Sequence, residues 1–184
     1  MKKTIGPAFA ALTLLLAGCG DPDGANDTAQ PAAKAGDSTL GAVIGTIDDL
    51  SIASEVIDNA DLEDPFGGAG AYTIFLPRNA AFEALPEGAL DRLRSKEGRE
   101  DVIGILSTHI ATGAIAREDL DSELDVNGGS IELTSVTDEP IRLRKVDGQI
   151  LVGDGDDAPR LTSISKSASN GVVYVIDGFI PPRP

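Results

Sequence analysis

The sequence of 184 residues has no tryptophan, one histidine, one cysteine and one methionine. Aromatics make up 4% and hydrophobic residues 41%, so aliphatic side chains must fill whatever core forms. A chain of this length buries one good core, which sets one domain as the expectation. One cysteine excludes an internal disulfide, and the fold has to stand on packing and hydrogen bonds. With one histidine, any Ser–His–acid relay would have to pass through His109, and no serine sits in a G-x-S-x-G elbow. Positive charge is also short: 15 Lys and Arg stand against 30 Asp and Glu, a net charge of −15. No basic cluster offsets the balance, which sets the chain against nucleic acid and anionic lipid headgroups. The apolar run Ala8 to Leu16 is too short to span a bilayer as a mature anchor.

What that run has is the layout of an export signal. Lys2 and Lys3 precede it, and small residues follow. It ends in Leu16-Ala17-Gly18-Cys19, which resembles a bacterial lipobox. The resemblance implies a signal peptide over 1–18, cleavage before Cys19, and a diacylglyceryl and palmitate-type modification of that cysteine. Gly20 after it implies outer-membrane sorting in some bacteria. The alternative is an ordinary secretory signal with an incidental cysteine. Loss of residues 1–18 would leave 13 basic residues against 30 acidic, a balance of −17. From Cys19 to Asp37 the chain has no apolar periodicity and reads as a flexible tether, with the domain over 38–184. Two or more acyl chains would hold it on a membrane without any protein span.

Within the domain, Ser38 reads as the cap of a helix whose Leu40, Val43, Ile44 and Ile47 share a face. Ser51 reads as the cap of a second, with Ile52, Ala53, Val56, Ile57 and Ala60. A glycine-rich loop, Pro65 to Gly70, leads into Tyr72–Leu76, a buried strand of β-branched and aromatic residues ended by Pro77. Asn79 reads as the N-cap of a short helix carrying Phe82. Gly88 to Leu93 predicts a helical turn, and Glu97 to Thr108 a longer helix with Val102, Ile103 and Leu106 on its apolar face. Ala116 to Leu120 reads as another turn. From Glu123 the period changes to two, predicting strands at Leu124–Val126 and Ile131–Leu133 around Asn127-Gly128-Gly129. Asp147-Gly148 predicts a tight hairpin between Ile141–Val146 and Gln149–Val152. Gly153 to Pro159 is an acidic loop, Leu161 to Ser165 a short strand, and Val172 to Ile176 a central strand buried on both faces.

Two stretches together carry a family resemblance. The strand-proline-helix stretch with Thr73, Phe75, Pro77, Asn79, Ala81 and Phe82 resembles the first signature box of the fasciclin domain. Arg78 departs from the small hydroxyl residue common there. Asn170-Gly171, the valine-rich strand through Val175, and Asp177 before Phe179-Ile180-Pro181 resemble the second box, with Tyr174 in place of a frequent histidine. Between them, Thr108-His109 stands where the family has a tyrosine–histidine pair. The resemblance covers about Thr39 to Pro182. It implies an α+β wedge of two small antiparallel sheets with several short helices packed against it. It also implies a structural role for the motif residues, with His109 buried and its ring bonded to neighbouring backbone.

The function so implied is non-catalytic: a lipid-anchored protein facing the periplasm or the cell surface, adhering to an envelope or surface protein or a polysaccharide. The alternatives are a carrier of a small apolar ligand or pigment in a groove, a weak hydrolase relying on His109, and a structural spacer. No cofactor is expected. Asp154, Asp156 and Asp157 lack the bidentate glutamate that a calcium loop needs, so they read as solvated loop acids. Asp101-Val102-Ile103 matches short aspartate–isoleucine segments linked to integrin binding in animal relatives. Its apolar pair is expected in the core, so that site is not carried over. Phe66 is either a partner contact or an inward-tucked connector.

Overall fold

The computed structural model describes residues 36–62, 70–137 and 139–181. The expected signal peptide, Cys19, most of the tether and Phe66 lie outside the described residues.

Helix α1 (Leu40–Ile44) and α2 (Ser51–Asn59) flank a 3-10 turn, Asp48–Leu50. The box strand β1 (Tyr72–Pro77) runs into α3 (Asn79–Glu83). Then come α4 (Ala89–Leu93), a 3-10 turn at Lys96–Gly98, and α5 (Arg99–His109). Strand β2 (Ile110–Thr112) follows directly, then α6 (Arg117–Val126). The rest is β3 (Ser130–Leu133), β4 (Ile141–Val146), β5 (Gln149–Val152), β6 (Leu161–Ala168) and β7 (Gly171–Ile176).

The strands form one sheet of order β2-β1-β7-β6 and a second of order β3-β4-β5. Antiparallel pairing was the expectation for both sheets, but β1 and β7 run parallel at the centre of the first. The two signature boxes are therefore hydrogen-bonded to each other, from Tyr72↔Gly171 to Pro77↔Ile176. Bridges Ala111↔Ser135 and Leu151↔Arg160 join the sheets at two corners and hold them as a wedge.

Strand period two divides the interior. Ile74, Leu76, Val173 and Val175 point toward Leu40, Ile44, Leu50, Ile57, Phe82, Val102 and Leu106 of the helices. Phe75, Val172, Tyr174 and Ile176 point into the wedge, against Leu120, Leu124, Leu143, Ile150 and Val152. Phe75 and Tyr174 stack there, with ring centroids 5.6 Å apart. The Tyr174 hydroxyl donates to the Ile115 carbonyl at 2.9 Å, and burial pushes its pKa up.

Several local expectations change. The cap of α1 is Thr39 rather than Ser38, its hydroxyl accepting weakly from the Ala42 amide at 3.5 Å. Ser51 lies inside α2 rather than capping it. Asn79 does not cap α3; its Oδ1 accepts the Ile52 amide at 3.0 Å, and its Nδ2 donates to the Asp48 carbonyl and the Ser51 hydroxyl. It thus caps α2, 27 residues upstream. Leu124–Val126 is the last turn of α6 rather than a strand, because Leu120 and Leu124, at helical spacing, both bury completely. The α5 helix starts at Arg99, not Glu97, and Ile103 is 40% exposed while Val102 is 2% exposed. The hairpin at Asp147-Gly148 is as expected, with φ of 50° and 78°.

Candidate functional site

The first-box residues are positioned by pairing and packing. Thr73, fully buried, donates to the Gly113 carbonyl at 2.7 Å and accepts the Ile115 amide at 3.0 Å. It ties β1 to the loop after β2. Pro77 is the last residue of the ladder, and the Arg78 amide closes it on the Ile176 carbonyl. Arg78 itself pairs with Asp49 at 3.2 Å. In the second box, Asn170 Oδ1 accepts the Leu40 amide at 2.8 Å, and Asp177 Oδ1 accepts the Arg160 amide at 2.6 Å. A Cβ on Gly171 would lie 2.1 Å from the Tyr72 carbonyl oxygen, so only glycine lets β7 approach β1. Val175 is buried in the helix-side core.

His109 ends α5 and is 1% exposed. Its Nδ1 lies 2.7 Å from the Ile105 carbonyl, which only accepts, so Nδ1 carries the proton. Its Nε2 accepts the Ile180 amide at 3.0 Å. The Thr108 hydroxyl donates to the Ile105 carbonyl and sits 3.0 Å from Nδ1. The ring is therefore neutral, and burial lowers its pKa to about 4 against the opposing pull of the Ile105 carbonyl. Both nitrogens are committed to backbone. Such a ring has no free nitrogen to take a proton from a serine. Phe179 packs edge-on against both Phe82 and His109, so the second box is clamped to the helices through one aromatic and one imidazole.

Sequence reasoning missed what lies beside this clamp. A groove of about 740 Å³ opens between α4, α5 and the segment after β7. Ala89 and Leu93 of α4, Gly104 and Ile105 of α5, and Phe179 and Ile180 after β7 line it, with the buried His109. Arg92, Glu100 and Asp101 stand at its rim. Arg92 is paired with Asp101. The angle of the groove is set at Gly98, where a Cβ would lie 2.0 Å from the Arg92 carbonyl oxygen; glycine alone lets α5 turn back this tightly beneath α4. The one signal in the sequence was Gly104, an isolated glycine inside a helical pattern.

The acidic loop holds no such site. Asp154 pairs with Arg142 at 3.1 Å, and Arg144 donates to the Gly155 carbonyl. Among the described residues, no group of three His, Cys, Asp or Glu side chains could hold a metal ion. No helix among them is long and apolar enough to cross a membrane.

An α+β wedge of two small sheets, centred on a parallel pair of box strands and clamped to a helical layer by a buried histidine, defines a fasciclin-type fold. It is similar to a FAS1 domain pair of the insect cell adhesion molecule Fasciclin I, with a TM-score of 0.67 and 18% identity over 79% of this chain and 51% of that one. The fasciclin domain matches residues 48–182, and the chain belongs to the fasciclin family. It is 32% identical over 123 residues to Protein sll1483 of Synechocystis sp., covering 67% of this chain and 62% of that protein. It is 31% identical over 127 residues to the transforming growth factor-beta-induced protein ig-h3 of Oryctolagus cuniculus, covering 66% of this chain and 16% of that one. Against the immunogenic protein MPB70 of Mycobacterium bovis the match is 24% over 190 residues, spanning 99% of this chain and 89% of that protein. The chain thus spans less than two thirds of the length of the first two relatives.

Proposed function

We propose that the protein is a non-catalytic interaction module of the cell envelope, lipid-anchored at Cys19 and held off the bilayer by residues 19–37. Its partner is a surface or envelope protein or a polysaccharide. The observation that carries this reading is the family fold, which recurs in an insect cell adhesion molecule. The engaged ring of His109 supports it from the other side, because the lone histidine is spent on architecture. The test is gentle crosslinking of the full chain in its native membranes, followed by mass spectrometry of what co-purifies and of the Cys19 peptide. An enriched envelope protein or glycan is expected, together with a diacylglyceryl mass on Cys19. Recovery of the chain alone would overturn the adhesion reading, and an unmodified Cys19 would overturn the anchor.

A second reading is favoured by the groove: a carrier of a small apolar ligand. Its volume lies within the range of small-molecule sites, about 300–1,000 Å³, and its walls are mainly aliphatic and aromatic. A stoichiometric apolar molecule in the same mass spectrum would select it.

A further inference from the structure

Two glycines of the α4–α5 hairpin differ in what they are for. Gly98 is forced by the Arg92 carbonyl. Gly104, in the middle of α5, is not: a Cβ there would meet nothing within 4 Å. Interior glycine weakens a helix relative to alanine, since it loses more backbone freedom on folding. No packing within the described residues requires that weakness. The missing side chain instead leaves helix backbone bare in the lining of the groove, which Ile105, Phe179 and Ile180 share.

Charge at the rim is equally uneven. Asp101 is neutralised by Arg92, and His109, which also lines the groove, is neutral. Glu100 makes no ion pair among the described residues, and it lies one turn before Gly104, about 6 Å along the helix axis. A carboxylate in a first helical turn is favoured by the helix dipole, which accounts for an acid at this position but not for the empty apolar space beside it. Among the described residues, Arg92 is the one cation lining the groove, and it is already bonded. The net charge of −15 adds a field that draws cations and repels anions.

We propose that the groove beside Gly104 binds a small amphiphile, its apolar body laid on the bare backbone of α5 and a single cationic head held by Glu100. This rests on the ligand-carrying reading and names its ligand class. A fatty acid or other anionic amphiphile would set its head against Glu100 and is rejected. An uncharged body would fill the groove but leave the carboxylate unpaired.

Three probes with one body separate these cases: 1-aminoadamantane, 1-adamantanol and 1-adamantanecarboxylate. Each is titrated into the isotopically labelled full chain in lipid nanodiscs, with empty nanodiscs as the blank, and the amide shifts of Gly104 and Ile180 are followed. The amine is expected to bind about tenfold more tightly than the carboxylate, with Glu100→Gln removing that preference while leaving adamantanol unchanged. Gly104→Leu places a bulky side chain in the groove and is expected to abolish binding of every probe, while the remaining amide shifts keep their native positions. Gly104→Ala serves as the milder variant, with weakened binding expected. Equal binding of all three probes overturns the cationic head while leaving the carrier reading standing. Binding by none overturns both. Binding undiminished in Gly104→Leu overturns the site.

Discussion

His109 shows how one side chain joins two distant elements. Burial disfavours the charged ring and the pKa falls to about 4; protonation would also turn Nε2 into a donor facing the Ile180 amide. The unfolded chain titrates near 6.5 and therefore binds more protons between those values, which means that stability drops as pH falls. This contribution is fully present above about pH 6.5 and is lost progressively down to about pH 4. A gap of this size is worth about 3 kcal/mol. Urea melts at pH 7.5 and 4.5 should therefore differ by about 2.5 kcal/mol more in the parent than in His109→Gln, which removes the titration. An identical pH dependence in the two chains would rule out the histidine as its source. Asn79 teaches a different lesson at the same scale. Its type and its place before a helix suggested a local cap, yet its amide is spent on α2. A cap read from neighbours in sequence is blind to a helix end brought in by tertiary packing.

At the scale of elements, legibility followed length and redundancy. The box strands combined composition, proline or glycine punctuation and burial on both faces, and they sit where expected. The end of α6 was misread because Leu124, Asp125 and Val126 alternate for three residues before a glycine pair, a span too short to separate a strand from a helical turn. The spacing of Leu120 and Leu124 held the better evidence. The groove was illegible for a plainer reason: empty space is encoded by what three elements leave unfilled. Two glycines test this level. Gly171→Ala would drive a methyl group into the Tyr72 carbonyl and within 2.8 Å of Leu40 Cδ1, so β1 and β7 must separate. A loss of about 3 kcal/mol or more is expected in denaturant melts, beyond ordinary overpacking. Gly104→Ala should act oppositely and stabilise the chain by about 0.5–1 kcal/mol, because its Cβ meets open space in a helix.

For the molecule as a whole, the acidic balance sets the terms of association. With 30 acidic residues against 15 basic, any protein partner is expected to be basic or bridged by cations. Affinity should therefore fall as salt rises from about 0.05 to 0.5 M, chiefly through a slower on-rate, which surface plasmon resonance against the crosslinked partner would read directly. Affinity constant across that range would instead assign recognition to apolar contact.

The parallel pairing of β1 with β7 has a consequence for timing. Tyr72 and Gly171 are partners although 99 positions separate them, and β7, like β1, is an inner strand rather than an edge. A chain emerging amino end first exposes β1, its helices and the second sheet before the strand that both cores need. Until residues 171–176 arrive, β1 can pair on its β2 edge only, Phe75 and Leu76 lack their β7 partners, and closing so long a loop is slow. Neither core can therefore close before residues 171–176 have been made, and folding of the domain waits on its final strand among those described.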